Sequence, residues 1–324
     1  MRTFSVALLA ALVGTPGLRA SAPLPPTRFP VAGNDQAWKR LPLKNPPLPT
    51  WARTLSRSLP RTTALMLNLD HLHRAKNPLG SVLAGKLRWI AADEIKCDYA
   101  RRYAAADLKR AGVKPAELKK LAGRLSALKP AERALVTFAR KMTKAAHTVT
   151  DDEVAGLLKT HRAEKVVAMV HTLAWANFHN RLLLALRCAV ERGGPLPPLS
   201  VVVDPKAKIK APARPAWKEF EKAGTPADNL RLDWKPQSFD DLGKAMEVQK
   251  ARKGRIPLPD KAKLARVPAP SLRIVWSTVS VGYQPEMTLG WFSCFGAFRE
   301  EADLPRQFTS SMFWVITRSN DCFY

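Results

Sequence analysis

The stretch from Leu83 to Tyr99 reads LAGKLRWIAADEIKCDY, and its spacing decides the fold class. Leu83, Leu87, Ile90 and Ala91 recur at helical intervals, so one face is apolar and faces a core. Cys97-Asp98-Tyr99 then opens a second helix, one thiol near its start. Working outward, Pro115-Ala116-Glu117 and Pro130-Ala131-Glu132 put proline in the first turn of two further helices, where its missing N–H costs little. Thr150 with Glu153 spells a capping box ahead of Val154, Leu157 and Leu158. Residues 163–192 form a long apolar helix with Val166, Val167, Val170, Leu173 and Ala174 on one side, and Gly193-Gly194-Pro195 is expected to end it. The expected class is all-α.

The same pattern returns later. At an offset of 225 residues, and with no gap, Trp51 meets Trp276, Pro60 meets Pro285, Thr63 meets Thr288 and Arg74 meets Arg299. Leu79 meets Leu304, Trp89 meets Trp314, Cys97 meets Cys322 and Tyr99 meets Tyr324. Rare residues in register, together with matched apolar positions such as Leu87/Met312, predict an internal duplication. The second copy contains only the first three helices and breaks off at Cys322-Phe323-Tyr324, so it is expected to be truncated. Half a domain has an uncovered apolar face, and docking on the first domain or formation of a homo-oligomer would cover it.

Five segments follow. Residues 1–22 have a basic start, a short apolar run from Phe4 to Val13 and the small residues Ala20-Ser21-Ala22, the pattern of a secretory signal. Pro23 just after the best cut leaves the cleavage point open, and an uncleaved lipid-facing anchor or a mis-called start codon is the alternative. Export to the periplasm or cell envelope is expected, with no membrane span once the signal is removed, because no other run approaches about 18 apolar residues. Residues 23–50 read as a proline-rich extended arm, 51–192 as the helical domain, 193–270 as a connector and 271–324 as the partial copy. Within the connector, short helices are expected near 216–223 and 239–252, the second capped by Ser238, and Val201-Val202-Val203 is a short strand candidate.

The net charge is +26. The basic residues are scattered among 27 acids, without a long basic run or stacking motif, which reads as a solvated basic surface and not as a nucleic-acid interface. An anionic envelope polymer or lipid stays open as a partner. The cysteines at 97, 188, 294 and 322 form no C-x-x-C pair and no zinc spacing, and no metal or cofactor is expected.

The order Arg88-Trp89-Ile90-Ala91-Ala92, Cys97-Asp98-Tyr99, Phe138-Ala139-Arg140-Lys141-Met142-Thr143, Val149 to Val154 and Asn177-Phe178-His179-Asn180-Arg181 resembles the carboxymuconolactone decarboxylase and alkylhydroperoxidase D-like superfamily. The resemblance covers about residues 50–190 and 275–324. It implies an alkylhydroperoxidase D-like helical bundle and peroxiredoxin-type chemistry on a peroxide. In that family two cysteines three residues apart share a helix face, a His follows four residues after the second, and a Glu lies about three turns upstream. Such an arrangement supplies a thiolate, moves protons and closes a disulfide after oxidation. Here Cys97 stands first, but Ala100 holds the second Cys position, Ala104 the His position and Gly85 the Glu position.

The candidate catalytic residues are therefore Cys97 and, in the second copy, Cys322. Arg101 and Arg102 are cationic neighbours to consider, and Asn177 and Arg181 are supporting residues on the helix that the resemblance puts beside the Cys helix. The expected activity is degenerate, and a non-catalytic helical interaction or oligomerisation module is the alternative. A lactone decarboxylase needs a general base and anion-binding groups, and neither is assignable here. His71-x-His73 puts two imidazoles on different faces, unsuited to a metal, while His171 and His179 read as core or groove residues.

Overall fold

A computed structural model describes residues 27, 29–41, 47–199, 238–251, 254–265, 275–320 and 322. The expected signal sequence, Val201–Val203, the helix expected near 216–223, and Phe323 and Tyr324 lie outside the described residues. All regular structure among the described residues is helical.

Local signals set most helix starts. Pro60, Pro115, Pro130 and Pro285 each occupy the first turn of α3 (Pro60–Ala75), α6 (Pro115–Ala122), α7 (Pro130–Lys144) and α13 (Pro285–Ala302). Thr150 caps α8 (Asp151–Thr160): its Oγ1 accepts from Glu153 N–H at 3.2 Å and Glu153 returns the bond at 2.8 Å. Ser238 and Asp241 make the same exchange at the head of α10 (Phe239–Ala251), as the sequence predicts. Asp260 caps the single turn α11 (Lys261–Leu264), which the sequence reading did not contain.

Two apolar clusters meet along the central helices. In the first, α4 (Gly80–Glu94) inserts Leu87, Ile90 and Ala91 against α5 (Asp98–Arg110), α7 and α9 (Ala163–Leu186), with Leu83 partly buried at its edge. Gly85 permits this approach: a Cβ there would sit 2.8 Å from Leu108 Cδ2. In the second, α1 (Asn34–Arg40), α2 (Thr50–Leu55) and α3 gather Trp38, Leu48, Trp51, Leu67 and Leu69 around Cys97, Tyr99 and Trp175.

Three expectations change. The proline-rich arm is not wholly extended, because residues 31–41 contain no proline and Trp38 and Leu41 have a core to enter. There α1 forms, and Asn34 Oδ1 accepts from Leu48 N–H at 3.0 Å to bring the chain back. The long helix stops at Leu186, ahead of Gly193-Gly194. Arg187 turns left-handed (φ 52°, ψ 46°) and Cys188 N–H bonds Leu183 O at 3.1 Å, a Schellman-type end. Ala174 is exposed, and Trp175 and Ala176 are the buried residues beside it.

The C-terminal helices are α12 (Val275–Tyr283), α13 and α14 (Arg306–Ser319). Pro60 and Pro285 open α3 and α13 from near-identical preceding conformations, φ −133° and ψ 60° at Leu59, φ −136° and ψ 64° at Gln284. Cys97 N–H bonds Ala92 O and Cys322 N–H bonds Thr317 O, both at 2.9 Å and both in the same register. The surroundings differ: Trp51 is 1% exposed and Trp276 48%.

α13 packs along α3, with Gly290 close to Leu69. At one end Glu301 accepts the Arg61 and Thr62 N–H groups, each at 2.7 Å, so a carboxylate from α13 caps the free donors of α3. The Arg61 guanidinium also pairs with Glu300. At the other end Gln284 Nε2 donates to Glu164 O at 2.8 Å on α9.

Candidate functional site

The four helices α2, α3, α5 and α9 converge on a small cavity, which α4 closes. Trp51, Asp70, Arg88 and Ala100 lie in its wall, with Tyr99 and Tyr103 from α5 and Trp175, His179 and Asn180 from α9. The space open to the centre of a water molecule is about 20 Å³, enough for about one water. Helical spacing explains the wall: Tyr99 and Tyr103, like Trp175 and His179, are four apart and share a face.

One side of the site is ionic. Asp107 accepts from Arg74 Nε at 2.8 Å and Nη2 at 3.0 Å, from Arg88 Nη1 at 2.9 Å and from Arg110 Nη2 at 2.5 Å. Arg74 also donates to Asp70 Oδ2 at 2.9 Å and to Leu196 O at 2.7 Å, and its guanidinium sits 5.0 Å over the Tyr103 ring. Burial opposes the Asp107 charge, but Arg74 and Arg88 outweigh it and hold the carboxyl well below the usual carboxylate range. Burial likewise opposes the charge on Arg74, and Asp70 and Asp107 keep it protonated.

The other side is aromatic. Trp175 stacks on His73 (5.4 Å) and on His179 (5.2 Å), and Trp51 meets His179 edge-on at 5.0 Å. Burial lowers the His179 pKa to about 4, so its ring is neutral at pH 7. His179 Nε2 and Asn180 Nδ2 are buried without a partner among the described residues, and both residues line the cavity.

The thiol lies elsewhere. Cys97 caps α5 and is 1% exposed, packed in the second apolar cluster and absent from the cavity wall. Burial pushes its thiol up to about 11; a bond from the Ala100 backbone offsets part of this, and Asp98 adds to it. Arg101 and Arg102 do not assist. Arg101 pairs with Asp98 at 2.8 Å and reaches Asp93 at 3.3 Å, and Arg102 pairs with Asp98 at 2.7 Å. Position 100, where the resembled family carries its second cysteine, is the one that borders the cavity. Position 85 is filled by contact with Leu108.

The supporting residues make structural hydrogen bonds. Asn177 Nδ2 donates to Met142 O at 3.0 Å and Arg181 Nη2 to Thr143 O at 3.0 Å. They hold the C-terminal carbonyls of α7, facing that helix and not the Cys helix. Cys322 is exposed beyond α14. The two candidate thiols share no wall of this cavity.

The ionic cluster was not found from the sequence. Asp70 and Arg74 at i and i+4 are one available sign, but Asp107 and Arg88 join them only through tertiary packing. Glu191 is another omission. It accepts from Tyr99 Oη at 2.8 Å, Tyr103 Oη at 2.6 Å and Thr50 N–H at 2.6 Å, which lays the chain after α9 along α5.

Among the described residues, no three His, Cys, Asp or Glu side chains are grouped to hold a metal ion, and no helix is long and apolar enough to cross a membrane. No family model, curated protein or solved structure matches this chain.

Proposed function

We infer that this is an exported helical protein of the carboxymuconolactone decarboxylase and alkylhydroperoxidase D-like kind, with a reaction cavity that persists and a thiol cycle that is lost. It acts as a binding or assembly module. The carrying observation is Ala100. It borders a buried polar cavity beside His179 and Arg88, where a second cysteine would present its sulfur, and it brings no nucleophile. The cysteine that remains, Cys97, is buried with a raised pKa. A thiol this far from ionisation supplies little thiolate at pH 7. The cavity is also too small for an organic hydroperoxide.

The basic surface supports the binding role, since a net charge of +26 favours an anionic envelope component. The equal registers of α3 and α13, and of the bonds at Cys97 and Cys322, support a second copy that docks on the first through those two helices.

The test is hydrogen peroxide consumption by the full chain with a dithiol reductant, beside the Cys97→Ser chain. The two are expected to match each other and a free thiol in solution. Saturable turnover that disappears in Cys97→Ser would overturn the reading. Retention on an anionic polymer, lost as salt rises, is expected for the binding role.

A further inference from the structure

A different pair of atoms, away from the cavity, carries a further inference. The segment after α9 runs along α5 in a fixed register. Leu196 O accepts from Arg74 at 2.7 Å and from Arg110 at 3.5 Å, near the end of α5. Glu191 accepts from Tyr103 and Tyr99, one turn apart toward its start. Three residues before Glu191 in the segment stands Cys188, and two before Tyr99 in the helix stands Cys97, the cap of α5. Both residues pack in the same apolar cluster.

We propose that Cys97 and Cys188 form a disulfide that clasps the end of α9 to the start of α5 when the chain meets a disulfide oxidant. Two further observations agree. Neither cysteine is tied up in another bond, and Cys188 is half-buried while Cys97 is enclosed, which sets the order of reaction. Burial pushes the Cys188 thiol up to about 12, and Glu191 and Cys97 add to it.

In the exchange, the Cys188 thiolate attacks a small-molecule disulfide, forms a mixed disulfide and releases one small thiol. The Cys97 thiolate then attacks the Cys188 sulfur, breaks the mixed bond and releases the second. One disulfide is reduced, two protein thiols are oxidised, and their two protons end on the released thiols. Cys294 lies in the same cluster on α13, and its thiol is raised by burial and Glu301 with no contribution from Cys97. It is the control.

The experiment incubates the full-length reduced chain with excess oxidised glutathione, blocks free thiols under denaturing conditions and maps the non-reduced peptides. The expected product joins the peptides of Cys97 and Cys188, lighter by two hydrogens, with both residues lost to alkylation together. The Cys97→Ser chain should stop at the Cys188 mixed disulfide. Cys188 left as a mixed disulfide or as a free thiol in the unaltered chain, or Cys97 joined to Cys294, would overturn the proposal. Mapping the unaltered chain decides the matter even where a variant fails to fold.

Discussion

At the scale of single residues, and on the function proposed above, Ala100 and Cys97 divide between them what one thiol pair would do. Ala100 has the position without the sulfur, and Cys97 has the sulfur without the environment. Ala100→Cys restores a thiol to the cavity wall beside Arg88 and His179. Hydrogen peroxide, close to water in size, should oxidise it at least about 10-fold faster than Cys97 in the same chain, measured by peptide mass. His179 makes a second residue-scale statement. Its folded pKa, about 4, lies below the ordinary value of about 6.5, so as pH falls the unfolded chain takes up the proton first. Stability is full above about pH 6.5, falls between there and about pH 4, and then stops falling on this account. The loss is about 3 kcal/mol, and His73 shifts in the same direction through burial and adds to it. Urea denaturation at pH 7 and pH 4.5 should show the difference, and His179→Phe should reduce it, leaving the part that the buried His73 and His171 supply.

At the scale of helices, the starts were legible and some of the ends and partners were not. Pro115, Pro130 and the Thr150–Glu153 pair act within one turn, so their effect is written locally. The end of α9 is different. Nothing near Arg187 signals a stop, and the packing of the 188–199 segment against α5 imposes a left-handed turn on an arginine. α1 was hidden by the prolines around it, and the Asp107 cluster by the sequence distance between its members. Arg187→Gly removes the Cβ strain, against the greater entropy of glycine in the unfolded chain. A net gain of about 0.5–1 kcal/mol is expected by chemical denaturation.

At the scale of the whole molecule, α13 completes α3. Glu301 receives two N–H groups that α3 otherwise leaves to solvent, and Gly290 allows close contact with Leu69. Glu301→Ala should cost about 1–2 kcal/mol of stability, and Glu301→Gln, which keeps an acceptor, clearly less. Tryptophans and cysteines mark the expected repeat in the sequence, whereas the surface on which α12 and α13 rest was not legible, since no local pattern encodes it. Burial of Cys97 is likewise a property of the assembled chain: α1, α2, α3, α5 and α9 all pack into the cluster that encloses it. The direct measurement is therefore the pH dependence of Cys97 alkylation in the reduced, folded, full-length chain, followed by peptide mass. A slow reaction that keeps rising beyond pH 9, with a midpoint near 11, is the predicted result. A fast reaction with a midpoint below about 7, the mark of an activated thiolate, would contradict it.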